Sequence, residues 1–286
     1  MAIMNQSRSP LPWMGGKHYS ARHIIKQFPS PSAYDTYCEL FGGAAHVLMQ
    51  KKPYRHVEAY NDINGDLVNF WMQCRDNLEA LEERCRSLPY SREVYYRYHY
   101  SLWDGTDLEP LERAARWFYV LRSNFSAHID PQPKGWSSGI KNTKSGPVHS
   151  YHSAIDLFKQ VQERFKLVMI DNRDFAAVFK VYNKPRMLIY ADPPYIGTEH
   201  YYNQSFTMAD HERLADLLNK SSAFVVLSYY PHPALDDLYP ADKWRRITWE
   251  TPKHAQKTNE KHDYATELLL LNYPSAQASL WDLEAV

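Results

Sequence analysis

Tyr37-Cys38-Glu39-Leu40-Phe41-Gly42-Gly43-Ala44-Ala45 is the stretch whose reading decides the fold. Ala33 to Leu40 read as a strand, and Phe41 to Ala45 as the turn that closes it. Ala45 to Lys51 supply a helix, Val57 to Tyr60 a second short strand that ends at Asp62, and Asp66 to Asn77 the next helix. Strand, glycine turn, helix, strand and terminal acid, in that order, mark a nucleoside-binding α/β unit. The glycines let the backbone come close to a ligand. The acid at the end of the second strand can accept from both hydroxyls of a ribose. A plainer reading of Asp62 is an acid at a helix N-terminus, since Asn64 and Asp66 precede a helix. Its place at the strand end favours the ribose.

A second apolar run, Met187-Leu188-Ile189-Tyr190-Ala191, reads as a buried strand and leads into Asp192-Pro193-Pro194-Tyr195. An acid, two prolines and an aromatic at a strand's carboxyl end form a small amine-binding site. The Asp192 carboxylate can accept one N–H of the amine and the Pro193 carbonyl the other, which favours a localised lone pair on the nitrogen. Proline fixes φ and removes backbone donors that would compete. Tyr195 offers a flat face for a base out of its stack. A simple turn after a strand is the alternative. Average residue usage puts a chance match in a chain of this length at roughly one in a thousand, which favours the chemical reading.

Two further segments agree in order: Trp13-Met14-Gly15-Gly16-Lys17 before the first strand, and Tyr60-Asn61-Asp62-Ile63-Asn64 after the second. Together with Tyr37 to Ala45 and Asp192 to Tyr195, they resemble the Dam-type DNA adenine-N6 methyltransferases, the D12 class. The resemblance runs from about residue 11 to about residue 273 and is weakest from roughly 75 to 155. It implies an α/β fold: a Rossmann-like methyltransferase sheet dependent on S-adenosyl-L-methionine, with an inserted, mainly helical target-recognition domain. By the same resemblance, residues 1–74 and 155–286 form the catalytic domain, and residues 75–154 the insertion, with a hairpin or loop at 127–150 over the DNA major groove. Trp13 and Lys17 are expected at the cofactor, the indole near the sulfonium and the Lys at the carboxylate of the methionine. Phe41, Gly43 and Asp62 join them. Asp192 serves both the cofactor and the target base, with Pro193, Pro194 and Tyr195 beside it. Arg122, Asn124, Lys141 and Lys144 are the first candidates for DNA contact. The chain departs from the family pattern at Ala45, where a last glycine is usual, and at Leu40, often a proline. An alanine leaves no free positive φ, so the turn is expected without one there.

The intervening chain is read more coarsely. Residues 17 to 28 look helical before Pro29, and residues 78 to 121 look helical throughout. The tyrosine-rich helix Glu93 to Trp103, with Arg92 and Arg97 beside it, suits either the packing of a helical subdomain or the stacking of bases, and packing is favoured. Ala127 to Ser150 holds three prolines and three glycines among Ser, Asn and Lys, and reads as a long loop or hairpin. Helical pattern returns at Ser153 to Phe165. Leu167 to Ile170, Phe224 to Ser228 and Thr266 to Asn272 complete the strands. Asp174, after the first of these, is either a helix cap or a group flanking the cofactor's adenine.

Composition sets the bounds. The chain has 286 residues and is 44% hydrophobic, enough for a sizeable core. No apolar run approaches the ~18 residues of a membrane span, and the N-terminus lacks the apolar centre of a signal peptide. Three cysteines without close pairing point to a reducing compartment, and with the family to the cytoplasm of a bacterium or phage-infected cell. Net charge is formally zero, but Lys243 to His262 and Arg122 to His152 are locally basic, as suits a narrow groove for double-stranded DNA. No His, Cys and acid cluster suggests a metal, and methyl transfer from a sulfonium needs none. A monomer or weak dimer is expected. Rival readings are methylation of cytosine N4, of RNA adenine or of a protein glutamine, and an idle DNA-binding protein on the same fold. Asp192 stands where cytosine-N4 enzymes usually carry Ser, and the intact motifs argue against loss of activity.

Overall fold

Apolar strands buried on both faces need helices on both sides, and the chain supplies them. The computed structural model describes residues 7–141, 144–199, 206–252 and 264–274. A short helix α1 (Ala21–Ile25) leads to β1 (Thr36–Glu39), α2 (His46–Gln50), β2 (Val57–Asn61) and α3 (Gly65–Asp76). Helices α4 (Leu78–Arg86), α5 (Arg92–Ser101) and α6 (Pro110–Ser123) follow, then a ribbon of β3 (Ile140–Lys141) and β4 (Lys144–Ser145). After α7 (Gly146–Ile155) and α8 (Phe158–Phe165), the chain alternates through β5 (Val168–Asp171), α9 (Phe175–Tyr182), β6 (Met187–Ala191), α10 (Met208–Leu218) and β7 (Phe224–Tyr229). It ends with α11 (Ala234–Leu238) and the hairpin strands β8 (Arg245–Pro252) and β9 (Tyr264–Leu271).

One sheet of seven strands runs β5-β2-β1-β6-β7-β9-β8. The first five are parallel; β9 is antiparallel to β7, and β8 to β9. This is the expected Rossmann-like methyltransferase sheet. Side chains alternate between its faces. Tyr37, Tyr60, Leu188, Tyr190, Val226 and Leu269 enter one apolar cluster with α3 to α8, while Cys38, Ala59, Ile189, Ala191, Val225 and Leu268 enter the other with α9 to α11. Helices α3 to α8 therefore share one core with the first sheet face. Beneath β2, Arg164 and Lys51 both reach the buried Glu58, at 2.5 and 2.9 Å, and tie α8 and α2 to the strand. No helix among the described residues is long and apolar enough to cross a membrane.

Several local expectations change. The stretch 78–121 is three helices, broken at 87–91 and 102–109. Gly146 to Ser150, expected in a loop, already belongs to α7: Pro147 sits in the first turn, where its missing N–H costs nothing. Only Ala21–Ile25 of the first expected helix is α-helical, because the chain tightens at Phe28 ahead of Pro29. Strand β8 was not foreseen. Ala45 overturns the expectation for its turn: it adopts φ 55° and ψ 30°, the left-handed region. Its N–H donates to the Gly42 carbonyl and its own carbonyl starts α2, both at 2.8 Å, so the turn holds an alanine where glycine would be relaxed.

Candidate active site

The sheet itself makes the crevice. Strand β1 pairs with β2 on one side and β6 on the other, all parallel, so the three carboxyl ends open along one edge where the strand order reverses. Glu39 stands level with Tyr60 and Tyr190. The glycine turn after β1, Asp62 after β2 and Asp192 after β6 therefore meet, 130 residues apart in sequence between the last two. They border a cavity of about 930 Å³, to which Trp13, Lys17, Phe41, Gly43 and Pro194 also contribute. That is the size of a small-molecule site.

The turn leaves no room for a side chain at Gly42 or Gly43. Gly43 has φ +48°, and a Cβ there would meet Trp13 Nε1 at 2.9 Å. Its N–H donates to Asp62 Oδ2 at 2.8 Å, and its carbonyl accepts the Tyr60 hydroxyl at 2.7 Å. Asp62 Oδ1 accepts the Asn64 N–H at 2.9 Å. Burial raises the Asp62 pKa, and these two N–H groups oppose the rise. Asn64 is the residue that caps α3, accepting from Leu67 at 3.1 Å. Asp62 instead clamps the turn, and each of its oxygens keeps further lone-pair capacity at the cavity wall.

Asp192 lies across the cavity. Its Oδ2 is 3.0 Å from Lys17 Nζ, and its Oδ1 is buried with no hydrogen-bond partner among the described residues. Burial raises the carboxyl pKa, and Lys17 pulls it back. Lys17 also donates to the Gly15 carbonyl at 2.7 Å and stands 4.8 Å over the Tyr195 ring. Tyr195 is 6% exposed, packed against Tyr229 and Tyr230, and its hydroxyl donates to Glu267 Oε2 at 3.1 Å. Pro193 is buried too, while Pro194 reaches the cavity.

The cavity has walls that the sequence does not announce. The expected Phe41 forms an aromatic group with Phe175 and Phe206, with centroids 5.4 to 5.9 Å apart. The Arg213 guanidinium lies 4.3 Å over Phe175 and pairs with Asp174 at 2.8 Å and Asp210 at 3.1 Å. Asp174 caps α9 through Ala176 and also borders the cavity, so its two readings coexist. An acid followed by Phe after β5 was the available signal. Glu39 is a second omission: it is buried, accepts the Tyr37 hydroxyl at 2.6 Å, and burial pushes its pKa up to about 8. Among the described residues no group of three His, Cys, Asp or Glu could hold a metal.

The candidates for DNA contact divide. Arg122 donates to the Pro10 carbonyl at 3.3 Å and the Ser150 carbonyl at 2.6 Å, joining the N-terminal segment to α6 and α7. Asn124 is buried, accepts the Tyr95 hydroxyl at 3.1 Å and donates to the His128 carbonyl. Both are engaged inside the fold. Lys141 and Lys144 are register partners in the β3–β4 ribbon. Beside Asn124, Phe125 is 82% exposed, and Tyr100 and Trp103 are also exposed. Tyr95 and Tyr98 of the tyrosine-rich helix are core residues. The basic loop from Lys253 to Lys261 lies outside the described residues.

Comparison with known proteins gives a consistent result. The family model described as D12 class N6 adenine-specific DNA methyltransferase matches residues 13–266. The type II methyltransferase M1.LlaDCHI of Lactococcus lactis subsp. cremoris is 27% identical over 280 residues, covering 91% of this chain and 94% of its own. The DNA adenine methylase of Haemophilus influenzae is 23% identical over 274 residues, covering 91% and 92%. The retron Ec67 DNA adenine methylase of Escherichia coli is 25% identical over 217 residues, covering 74% and 73%.

Proposed function

Because this chain belongs to the D12 class of N6 adenine-specific DNA methyltransferases, we propose that the crevice of its sheet is where a methyl group passes from S-adenosyl-L-methionine to the N6 amine of adenine in DNA. The chain is a DNA adenine methyltransferase by family; the donor and the residues are our reading. The observation that carries it is the meeting of Asp62, the glycine turn and Asp192 at one cavity of about 930 Å³.

The residues fit the donor. Gly43 leaves a cradle that a Cβ would fill, beside Trp13. Asp62 has lone pairs for ribose hydroxyls. Phe41, Phe175 and Phe206 suit a flat ring. Lys17 suits a carboxylate, and the Trp13 face a cation. When bound, the donor supplies a methyl group on a positive sulfur that needs no further activation. The chain aligns the two partners, excludes water and polarises the amine. Asp192 Oδ1, buried and unpartnered among the described residues, accepts an N–H of the target amine. The ionised carboxylate is the stronger acceptor and the one that favours positive charge on the amine. Its raised pKa means activity is lost as pH falls through that value.

DNA lies against the helical part, residues 75–154, with the segment 127–150 choosing the sequence and Lys141 and Lys144 meeting phosphates. Arg122 and Asn124 support that segment from inside. The protein works in the bacterial cytoplasm as a monomer or weak dimer. The test is methyl incorporation from labelled donor into DNA, RNA and protein, with wild type and Asp192→Ala. Label in DNA adenine that disappears with Asp192→Ala is the expected result. Label in cytosine, RNA or protein, or an active Asp192→Ala enzyme, overturns the reading.

A further inference from the structure

Strand β9 carries one buried acid, Glu267, directly before four core leucines. It points to the same sheet face as Leu269, toward the segment after β6. A carboxylate there is expensive unless it is partnered. Its hydrogen bond from the Tyr195 hydroxyl, at 3.1 Å, could equally be accepted by a glutamine. The charge itself therefore calls for an explanation.

The neighbours supply one. Tyr195 links Glu267 to Lys17, whose ammonium is 4.8 Å above the Tyr195 ring and 3.0 Å from Asp192 Oδ2. Two carboxylates thus share the surroundings of one ammonium. We propose that Glu267 is a positioning residue for methyl transfer: it anchors Tyr195, and its negative charge balances Lys17 so that Asp192 stays a strong acceptor for the target amine. The proposal rests on the reading of Asp192 given above. The attacking nitrogen gains positive charge as its bond to the methyl carbon forms and the carbon–sulfur bond breaks, and a site with two acids around one lysine favours that charge. The charged and titratable groups facing Glu267 are Tyr195, Tyr190, Tyr230, Lys17 and Asp192. Its own pKa is raised by burial and by Asp192, and lowered by Lys17 and the Tyr195 hydrogen bond.

The decisive variant is Glu267→Gln, which keeps the shape and the acceptor but removes the charge. Methylation of DNA is followed against pH, with donor affinity by calorimetry and Asp192→Ala run in parallel. Removing a like charge lowers the pKa of Asp192, so the acid limb of kcat should move to lower pH. At neutral pH kcat should fall about tenfold, or ~1.4 kcal/mol in the barrier, while donor affinity stays within about twofold. A merely structural Glu267 would leave the kcat profile of Glu267→Gln like wild type, and that result overturns the proposal. Should Glu267→Gln fail to fold, Tyr195→Phe breaks the same link from the other side. Lowered kcat with unchanged donor affinity supports the proposal there, and wild-type kcat refutes it. An active Asp192→Ala would instead sink the underlying reading, whatever Glu267→Gln does.

Discussion

Removing the Asp62 carboxylate separates two roles that the geometry joins. Asp62 holds the Gly43 and Asn64 N–H groups at 2.8 and 2.9 Å, and it faces the cavity. A hydrogen bond to a charged group contributes about 1.5–3 kcal/mol, and a buried N–H left without an acceptor costs a similar amount. Against this, the variant recovers the desolvation that raises the carboxyl pKa. Asp62→Ala should thus lose about 2–4 kcal/mol of stability, a fall in Tm of roughly 3–7 °C for a chain of this size. A ribose hydroxyl on the carboxylate adds about one to two decades of donor affinity. Loss of affinity alone would not prove the ribose contact, because a loosened glycine turn also weakens binding. The assay is calorimetric titration of wild type and Asp62→Ala with S-adenosylhomocysteine and with its 2′,3′-dideoxyribose analogue. Wild type should prefer the ribose form by about 10–100-fold, and Asp62→Ala should show almost no preference. An equal preference in both proteins would mean that Asp62 only shapes the turn.

Other substitutions test the turn and the DNA side. Gly42→Ala would put a Cβ 2.1 Å from the Tyr60 ring, which its bonds to Gly43 and Trp71 hold in place. Overpacking of this kind should destabilise by about 2–3 kcal/mol, read from urea unfolding; a loss under about 0.5 kcal/mol would show that the ring can move. Ala45→Gly trades relief of left-handed strain, about 1 kcal/mol, against a lost buried methyl and added chain entropy, so it should change stability by less than about 1 kcal/mol. Ala45→Val should cost more than about 2 kcal/mol, since a β-branched residue is an outlier there; equal stability of the two variants would contradict the observed φ of 55°. Lys141→Ala and Lys144→Ala should each flatten the salt dependence of DNA binding by about one unit of slope without changing donor affinity, and an unaltered slope would remove both from the phosphate contacts.

Local chemistry made much of this protein legible in advance. Strand β6 has the bounds its apolar run implies, and β1, β2, β5, β7 and β9 lie within a few residues of theirs, because strands buried on both faces are written as short apolar runs. The Asp192 and Gly43 segments were legible because an acid before two prolines, or a glycine turn after a strand, has a meaning that needs few neighbours. Elements with mixed signals were not. Strand β8 alternates Arg246, Thr248 and Glu250 with less polar residues at the sheet edge, and only pairing with β9 makes it a strand. Pro147 looked like a breaker, and its place in the first turn of α7 made it an initiator. Arg122, a candidate for DNA contact, also holds the Pro10 and Ser150 carbonyls, partners that no local pattern records. The tertiary structure alone brought Phe175, Phe206, Arg213 and Glu39 to one crevice, from four places in the chain. By itself the sequence determined which residues carry chemistry and the strand ends on which most of them stand. Strand order and register decided which of them face each other, since those depend on pairings across more than a hundred residues that no local pattern records.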